Sequence, residues 1–244
     1  MQYTLIRICF CTSQLPGMIL NCKFEYYKIG QQMTQRYVIT IGRQLGSGGR
    51  EIGQKLSARL GIAFYDKELI RIASQQSGLK EEFFERVDEQ KHFSLFPGIL
   101  GLRNSMNDDF FSNYYLSNES LFRIQSEVIR NLSVEGPCIF VGRCADYVLK
   151  DEKDCLNLFI SADMHDRIRR ISSSHKITEG KAKEMIERTD KGRSGYYHYF
   201  SGKTWGAAES YHLCINSSLL GLDETVRLIG QVAESRFRLT RGND

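Results

Sequence analysis

A chain of 244 residues with a formal net charge of +4 is long enough for one sizeable α/β domain, or for a core with a small mobile subdomain. Its hydrophobic fraction of 41% and charged fraction of 25% are ordinary for a globular protein and exclude wholesale disorder. The mild basicity suits an anionic ligand but is too weak to specify nucleic acid.

Seven cysteines (9, 11, 22, 138, 144, 155 and 214) include no CxxC pair and no companion histidine spacing. They read as reduced, mostly buried thiols of a cytoplasmic protein, not as a zinc site. Residues 1–32 begin "MQYTLIRICFCTSQLPGMIL", an apolar stretch interrupted by Arg7 and lacking a basic leader. It is too short to span a membrane and poor as a secretory signal. Residues 1–35 are therefore expected to be a poorly structured N-terminal extension, with the domain occupying 36–240.

From Arg36 onward strand and helix signals alternate. "YVITI" (37–41) is a β-branched run, and Ile52, Leu56 and Leu60 mark one face of a helix over 51–60. "GIAFYD" is a short strand ending at Asp66, followed by helical patterns in "KELIRIASQQSG" and "KEEFFERVDEQ". Residues 91–118 have weak periodicity and many Asn, Ser and aromatic residues, which predicts irregular structure. A helix over "ESLFRIQSEVIRNLSVEG", strands at 137–142 and 155–160, and a helix entered at Ser161 come next. An amphipathic helix "ITEGKAKEMIERTDKGR", a strand at 211–216 and a closing helix "LDETVRLIGQVAESRF" complete the pattern. Apolar strands alternating with helices predict a parallel sheet covered on both faces.

In such a sheet ligands bind beyond the C-terminal ends of the strands. Gly42–Arg50, Asp66, Gly142–Arg143, Ser161 and Asn216–Ser218 all fall there. The stretch "GRQLGSGGREIG" places glycines 42, 46, 48 and 49 between a strand and a helix. Glycine admits backbone angles that turn successive N–H groups inward, and with a helix N-terminus these form a concave anion site. A tight turn without a ligand is the plainer alternative.

Four segments, "GRQLGSGGREIGQKLSARLGIAFYDKELI", "IFVGRCADYVL", "LFISADMHDRIRRI" and "DKGRSGYYHYFSGKTWG…YHLCINSSLLG", resemble in matching order the cytidylate kinase-like family. The resemblance spans about 36–240. It implies an α/β three-layer P-loop kinase fold, with a parallel central sheet, helices on both faces and a small mobile lid near 176–206. It also implies transfer of the ATP γ-phosphate to CMP or dCMP with Mg²⁺, without nucleic acid or membrane as partner.

What the resemblance implies for individual residues follows from its matching positions. Gly46, Ser47, Gly48, Gly49, Arg50 and Glu51 align with the ATP-phosphate loop. Gly49 stands where cytidylate kinases carry the lysine, and Glu51 where they carry a threonine. A lysine there neutralises charge on the β- and γ-phosphates. Arg50, turned about 100° away on the helix, is placed ahead of Arg43 as its substitute; a solvated helix position is the alternative for Arg50. Arg143 in "VGRCAD" matches the arginine that holds the acceptor phosphate. Asp66 and Asp190 are expected on the acceptor side, Asp66 with a helix-capping role besides. Arg167, Arg170 and Arg193 are expected as catalytic cations, whereas Arg169 reads as a surface residue. Asp146 is either an acceptor contact or a cap of the short helix "ADYVL". The aromatic run "GYYHYFSGKTWG" reads as packing that anchors the lid. The metal ligands are not legible. A catalytically weak nucleotide-binding sensor on the same fold is the alternative function.

Overall fold

The computed structural model describes residues 5–10, 23–28, 36–66 and 108–239, with side chains described in 36–66 and 119–239. The helices expected within 67–90 and the stretch 91–107 lie outside the described residues. Two units are distinguished, Met1–Gln35 and Arg36–Asp244. In the first, β1 (Leu5–Phe10) pairs antiparallel with β2 (Lys23–Lys28), Leu5 opposite Lys28 and Phe10 opposite Lys23.

The second unit is built on five parallel strands: β3 (Val38–Arg43), β4 (Ala63–Tyr65), β5 (Cys138–Val141), β6 (Cys155–Ser161) and β7 (Leu213–Asn216), in the order β4-β5-β3-β6-β7. β3 is central, with Val38 level with both Cys138 and Cys155. Side chains alternate across the pleat. Ile39, Ile41, Ile139, Val141, Leu158 and Ile160 pack under α1 (Gly49–Leu60) and α6 (Ser217–Arg236). Val38, Cys138, Phe140 and Cys155 pack on the other face against α2 (Asp108–Glu135) and α3 (Ala145–Val148). Burial of the central strands β3, β5 and β6 on both faces explains why they read as continuous apolar runs. Burial pushes the Cys138 and Cys155 thiols up to about 12.

α2 corrects the expectation of irregular structure up to residue 118, since it begins at Asp108. Asn, Ser and aromatic residues have modest helix propensity, but two acidic residues at the start favour the positive helix end, and a nucleated helix extends cooperatively. α4 (Met164–His175) starts later than expected: Ser161 closes β6, and Asp163 occupies the N-cap. α5 (Glu179–Ser201) runs through the aromatic stretch as one 23-residue helix, with Thr178 as its cap.

Phe237, 1% exposed, stacks on Tyr37 with ring centroids 4.4 Å apart and closes the α1–α6 face. Phe237→Ala is expected to cost about 3–5 kcal/mol, read as a lowered urea midpoint with an unchanged slope.

Candidate active site

The loop from Arg43 to Gly49 carries the chain from the centre of the sheet into α1. Gly46 and Gly48 adopt φ of 78° and 79°, left-handed values that glycine reaches without strain, and Gly48 is the helix N-cap. Ser47 is fully buried and its hydroxyl serves the loop itself. Its Oγ donates to the Gln44 carbonyl at 2.9 Å and accepts from the Gly49 N–H at 3.4 Å. Ser217, at the start of α6, donates to the Ser47 carbonyl at 2.7 Å.

Three arginines from the helical pair α4–α5 hold the loop's carbonyls. Arg167 Nε donates to the Leu45 carbonyl at 2.7 Å while its Nη2 pairs with the Asp190 carboxylate. The other Asp190 oxygen accepts the Leu45 N–H at 2.8 Å. Arg170 Nη1 donates to the Gly46 carbonyl and Arg193 Nη1 to the Arg43 carbonyl, each at 3.0 Å. Arg167, Arg170 and Asp190 are therefore engaged in shaping the loop, a use that their alignment does not reveal. Ile171, Ala182 and Ile186 pack Leu45 between the two helices. Arg169 makes an exposed pair with Asp166 at 2.8 Å.

The two candidates for the missing lysine converge on one carboxylate. Asp66, 7% exposed in its side chain, lies 2.6 Å from Arg50 Nε and 3.6 Å from Arg43 Nη2. The arginines differ in placement: the Arg50 side chain is 53% exposed and Arg43 only 21%. A Cβ on Gly49 would come within 2.6 Å of Arg43 Cβ and 3.2 Å of its Cγ. A Cβ on Gly142 would lie 2.0 Å from Arg43 Nη1. Arg43 thus runs beneath the loop and across the end of β5. Glu51 faces solvent and pairs with Lys55 at 3.0 Å.

Two cavities border this loop. An open one is lined by Gly46, Gly48, Arg50, Glu51, Arg169 and Arg170. The other begins at Gly42 and Arg43 and reaches Arg143, Asp146 and Arg193, with Tyr197 and Trp205 among its walls. Gly142, Arg143 and Cys144 there take φ of 78°, 58° and 51° in succession. Two non-glycine residues in the left-handed region cost roughly 1–3 kcal/mol each, and the bend they make sets Arg143 at the cavity wall.

Asp146 is buried, with Oδ2 accepting the Tyr197 hydroxyl at 2.7 Å. Burial raises its pKa, and the Tyr197 hydrogen bond and Lys203 offset this only in part. Burial and the same hydrogen bond also raise Tyr197. The aromatic run anchors α5 as expected: Phe122 stacks on Phe200 at 4.0 Å, and Phe159 meets Trp205 edge-on at 5.0 Å.

The model of the cytidylate kinase-like family matches residues 38–219. The chain belongs to the cytidylate kinase-like family. Its fold is α/β, with the five-stranded parallel sheet and the flanking helices described above. A crystal structure of an uncharacterized protein from Eubacterium ventriosum ATCC 27560 is similar at TM-score 0.62 and 23% identity, covering 82% of this chain and 99% of that one. Shikimate kinase from Acinetobacter baumannii in complex with shikimate gives 0.46 and 13%, covering 85% and 97%. The shikimate kinase from Bacteroides thetaiotaomicron gives 0.47 and 11%, covering 81% and 98%. These two likenesses are weaker and bear on neither ligand nor activity. No curated protein matches the chain.

Within this cytidylate kinase-like site, Arg50, Arg170, Glu51 and the loop glycines border the open cavity, while Arg143 and Arg193 border the second. Asp66 joins the cations Arg43 and Arg50, and Arg167 and Asp190 lie behind the loop. Arg43, placed behind Arg50 in the sequence reading, stands at the last position of the central strand, three residues before Gly46. Among the described residues no cluster of three His, Cys, Asp or Glu side chains could hold a metal. Glu51 is nevertheless a hard-oxygen donor at the loop, which fits a Mg²⁺ ion held mainly by phosphates and water. No described helix is long and apolar enough to cross a membrane.

Breaking the buried pair by Arg167→Ala leaves the Asp190 carboxylate without its counter-charge and is expected to cost about 3–5 kcal/mol in chemical denaturation. Asp146→Asn keeps an acceptor for Tyr197 and removes the charge. Because the folded pKa is raised, the Asp146 carboxyl favours folding most below its unfolded value of about 4 and loses that contribution as pH rises through the folded value. The variant is therefore expected to melt above wild type at pH 8 and to lose that advantage by pH 3.

Proposed function

We propose that the chain transfers the γ-phosphoryl group of ATP to a nucleoside monophosphate, with CMP or dCMP as acceptor. The observation that supports this reading is a pair of cavities that border the two ends of one phosphate loop, one at Arg43 and the other at Gly46 and Gly48. The open cavity, with its glycines, Arg50 and Arg170, suits a triphosphate at the N-terminus of α1. The second cavity presents Arg143 and Arg193, whose guanidinium groups suit a monophosphate through paired hydrogen bonds.

Transfer in this arrangement is chiefly positioning and charge stabilisation. An acceptor phosphate oxygen, already anionic, forms a bond to the γ-phosphorus. The bond from that phosphorus to the β–γ bridging oxygen breaks, and ADP leaves with the electron pair. No proton has to be moved, so the site needs no general base. Arg143 and Arg193 orient the acceptor, while Arg170 fixes the loop through the Gly46 carbonyl and faces the donor. Glu51, with the donor phosphates and water, would hold Mg²⁺, and the bound ion would supply charge neutralisation on those phosphates. The aromatic wall beneath Arg193 excludes water, which protects ATP from hydrolysis.

The test is ADP release from ATP and Mg²⁺ against a panel of nucleoside monophosphates. CMP- or dCMP-dependent turnover is expected; a panel on which no monophosphate stimulates ADP release would overturn the assignment. Arg143→Ala is expected to raise the acceptor KM and reduce kcat/KM by roughly 10²-fold, the loss of a charge-assisted pair, with little change in the KM for ATP.

A further inference from the structure

We infer that Arg43 supplies the charge that a phosphate-loop lysine would otherwise supply, contacting the γ-phosphate of ATP from the end of the central strand. The inference rests on the kinase reading for its ligand, and on three features of the side chain for its placement. The Arg43 stem fills the space beside Gly49: a side chain grown from Gly49 would meet its Cβ at 2.6 Å. Any side chain at 49 and any side chain at 43 therefore exclude one another in this backbone, because the obstructing atom is a Cβ at the root of the side chain and cannot swing away. A non-glycine residue at 43 thus leaves room only for glycine at 49, and the residue at 43 is itself a cation.

The guanidinium end lies over Gly142, where any Cβ would collide with Nη1 at 2.0 Å, and it reaches Asp66 at 3.6 Å. It borders the same cavity as Arg143 and Arg193. A cation whose stem passes under the phosphate loop and whose head enters the acceptor cavity lies on the path between donor and acceptor. Charge gathers there as the γ-phosphoryl group moves.

Arg50 differs on each count. It projects from the first turn of α1, is 53% exposed, and borders only the open donor cavity. Asp66 holds both arginines, at 3.6 Å and 2.6 Å, and acts as a positioning residue that keeps Arg43 extended across β5. The Arg193 hydrogen bond to the Arg43 carbonyl fixes the backbone from which the side chain departs.

The assignment makes a prediction about ligands that differ by one phosphate. A group that contacts the γ-phosphate favours ATP over ADP; one that contacts the α- or β-phosphate favours both. The test is calorimetric titration of the full chain with Mg²⁺·ATP and with Mg²⁺·ADP, without any acceptor. Arg43→Met keeps an aliphatic stem beside Gly49 and removes the charge, and a thermal melt confirms that it folds. The preference for ATP over ADP is expected to fall about 10- to 100-fold in Arg43→Met, with ADP affinity little changed. Arg43→Lys, which restores a cation, is expected to recover part of that preference. Arg50→Ala is expected to weaken ATP and ADP by similar factors. An ATP-to-ADP preference unchanged in Arg43→Met would overturn the inference, as would a loss confined to the Arg50 variant. Because the readout needs no turnover, it decides the role of Arg43 even if the monophosphate panel yields no ADP.

Discussion

A buried ion pair, Arg167 with Asp190, is the constraint on which the site depends. Together the two side chains bind both polar groups of Leu45, its carbonyl through Arg167 and its N–H through Asp190. Each would be costly to bury alone; paired and hydrogen-bonded to backbone, they set one conformation for the loop. Arg170 and Arg193 extend the same device to the Gly46 and Arg43 carbonyls. With its carbonyls drawn toward α4 and α5, the loop reaches α1 through the left-handed Gly48. The helical pair is thus part of the phosphate site and not only a cover for it.

This arrangement divides the cations by task. Some arginines spend their donors on loop carbonyls, and others border the cavities in which phosphates are expected. Arg170 and Arg193 do both: Arg170 joins the Gly46 carbonyl while lining the open cavity, and Arg193 joins the Arg43 carbonyl while lining the second. The carboxylates are divided likewise: Asp190 braces the loop, Asp66 gathers Arg43 and Arg50, and Asp146 is buried under the Tyr197 hydroxyl. Precise placement is what phosphoryl transfer asks of a protein, and here most of the charged side chains serve placement.

The fold was largely legible because its strands are buried on both faces. Runs such as "YVITI", "CIFV" and "LNLFI" admit few other readings when helical periodicity flanks them. The start of α2 was not legible, since "DDFFSNYYLSN" combines weak helix formers with aromatics and shows no clear apolar stripe. The site was legible at the level of position: the strand-end residues do gather around the loop. Individual roles were not, because an arginine's reach lets it end on a carbonyl, a carboxylate or a ligand. Arg167 and Asp190 lie 23 positions apart, and nothing in their local sequence reveals that they share Leu45. Arg43 was named as a candidate, but its placement was not legible for a similar reason. Its relation to Gly49 is a steric exclusion across a turn, which appears only once both residues are placed in space.

The central proposal is that the two cavities bordering the ends of one phosphate loop receive a donor and an acceptor together. A dinucleoside pentaphosphate joining adenosine to cytidine spans both halves of such a site and tests the claim by calorimetry. The account predicts one molecule bound per chain, far more tightly than ATP or CMP alone, with each of the two single ligands competing against it. Affinity no greater than that of ATP, with no competition from CMP, would contradict it.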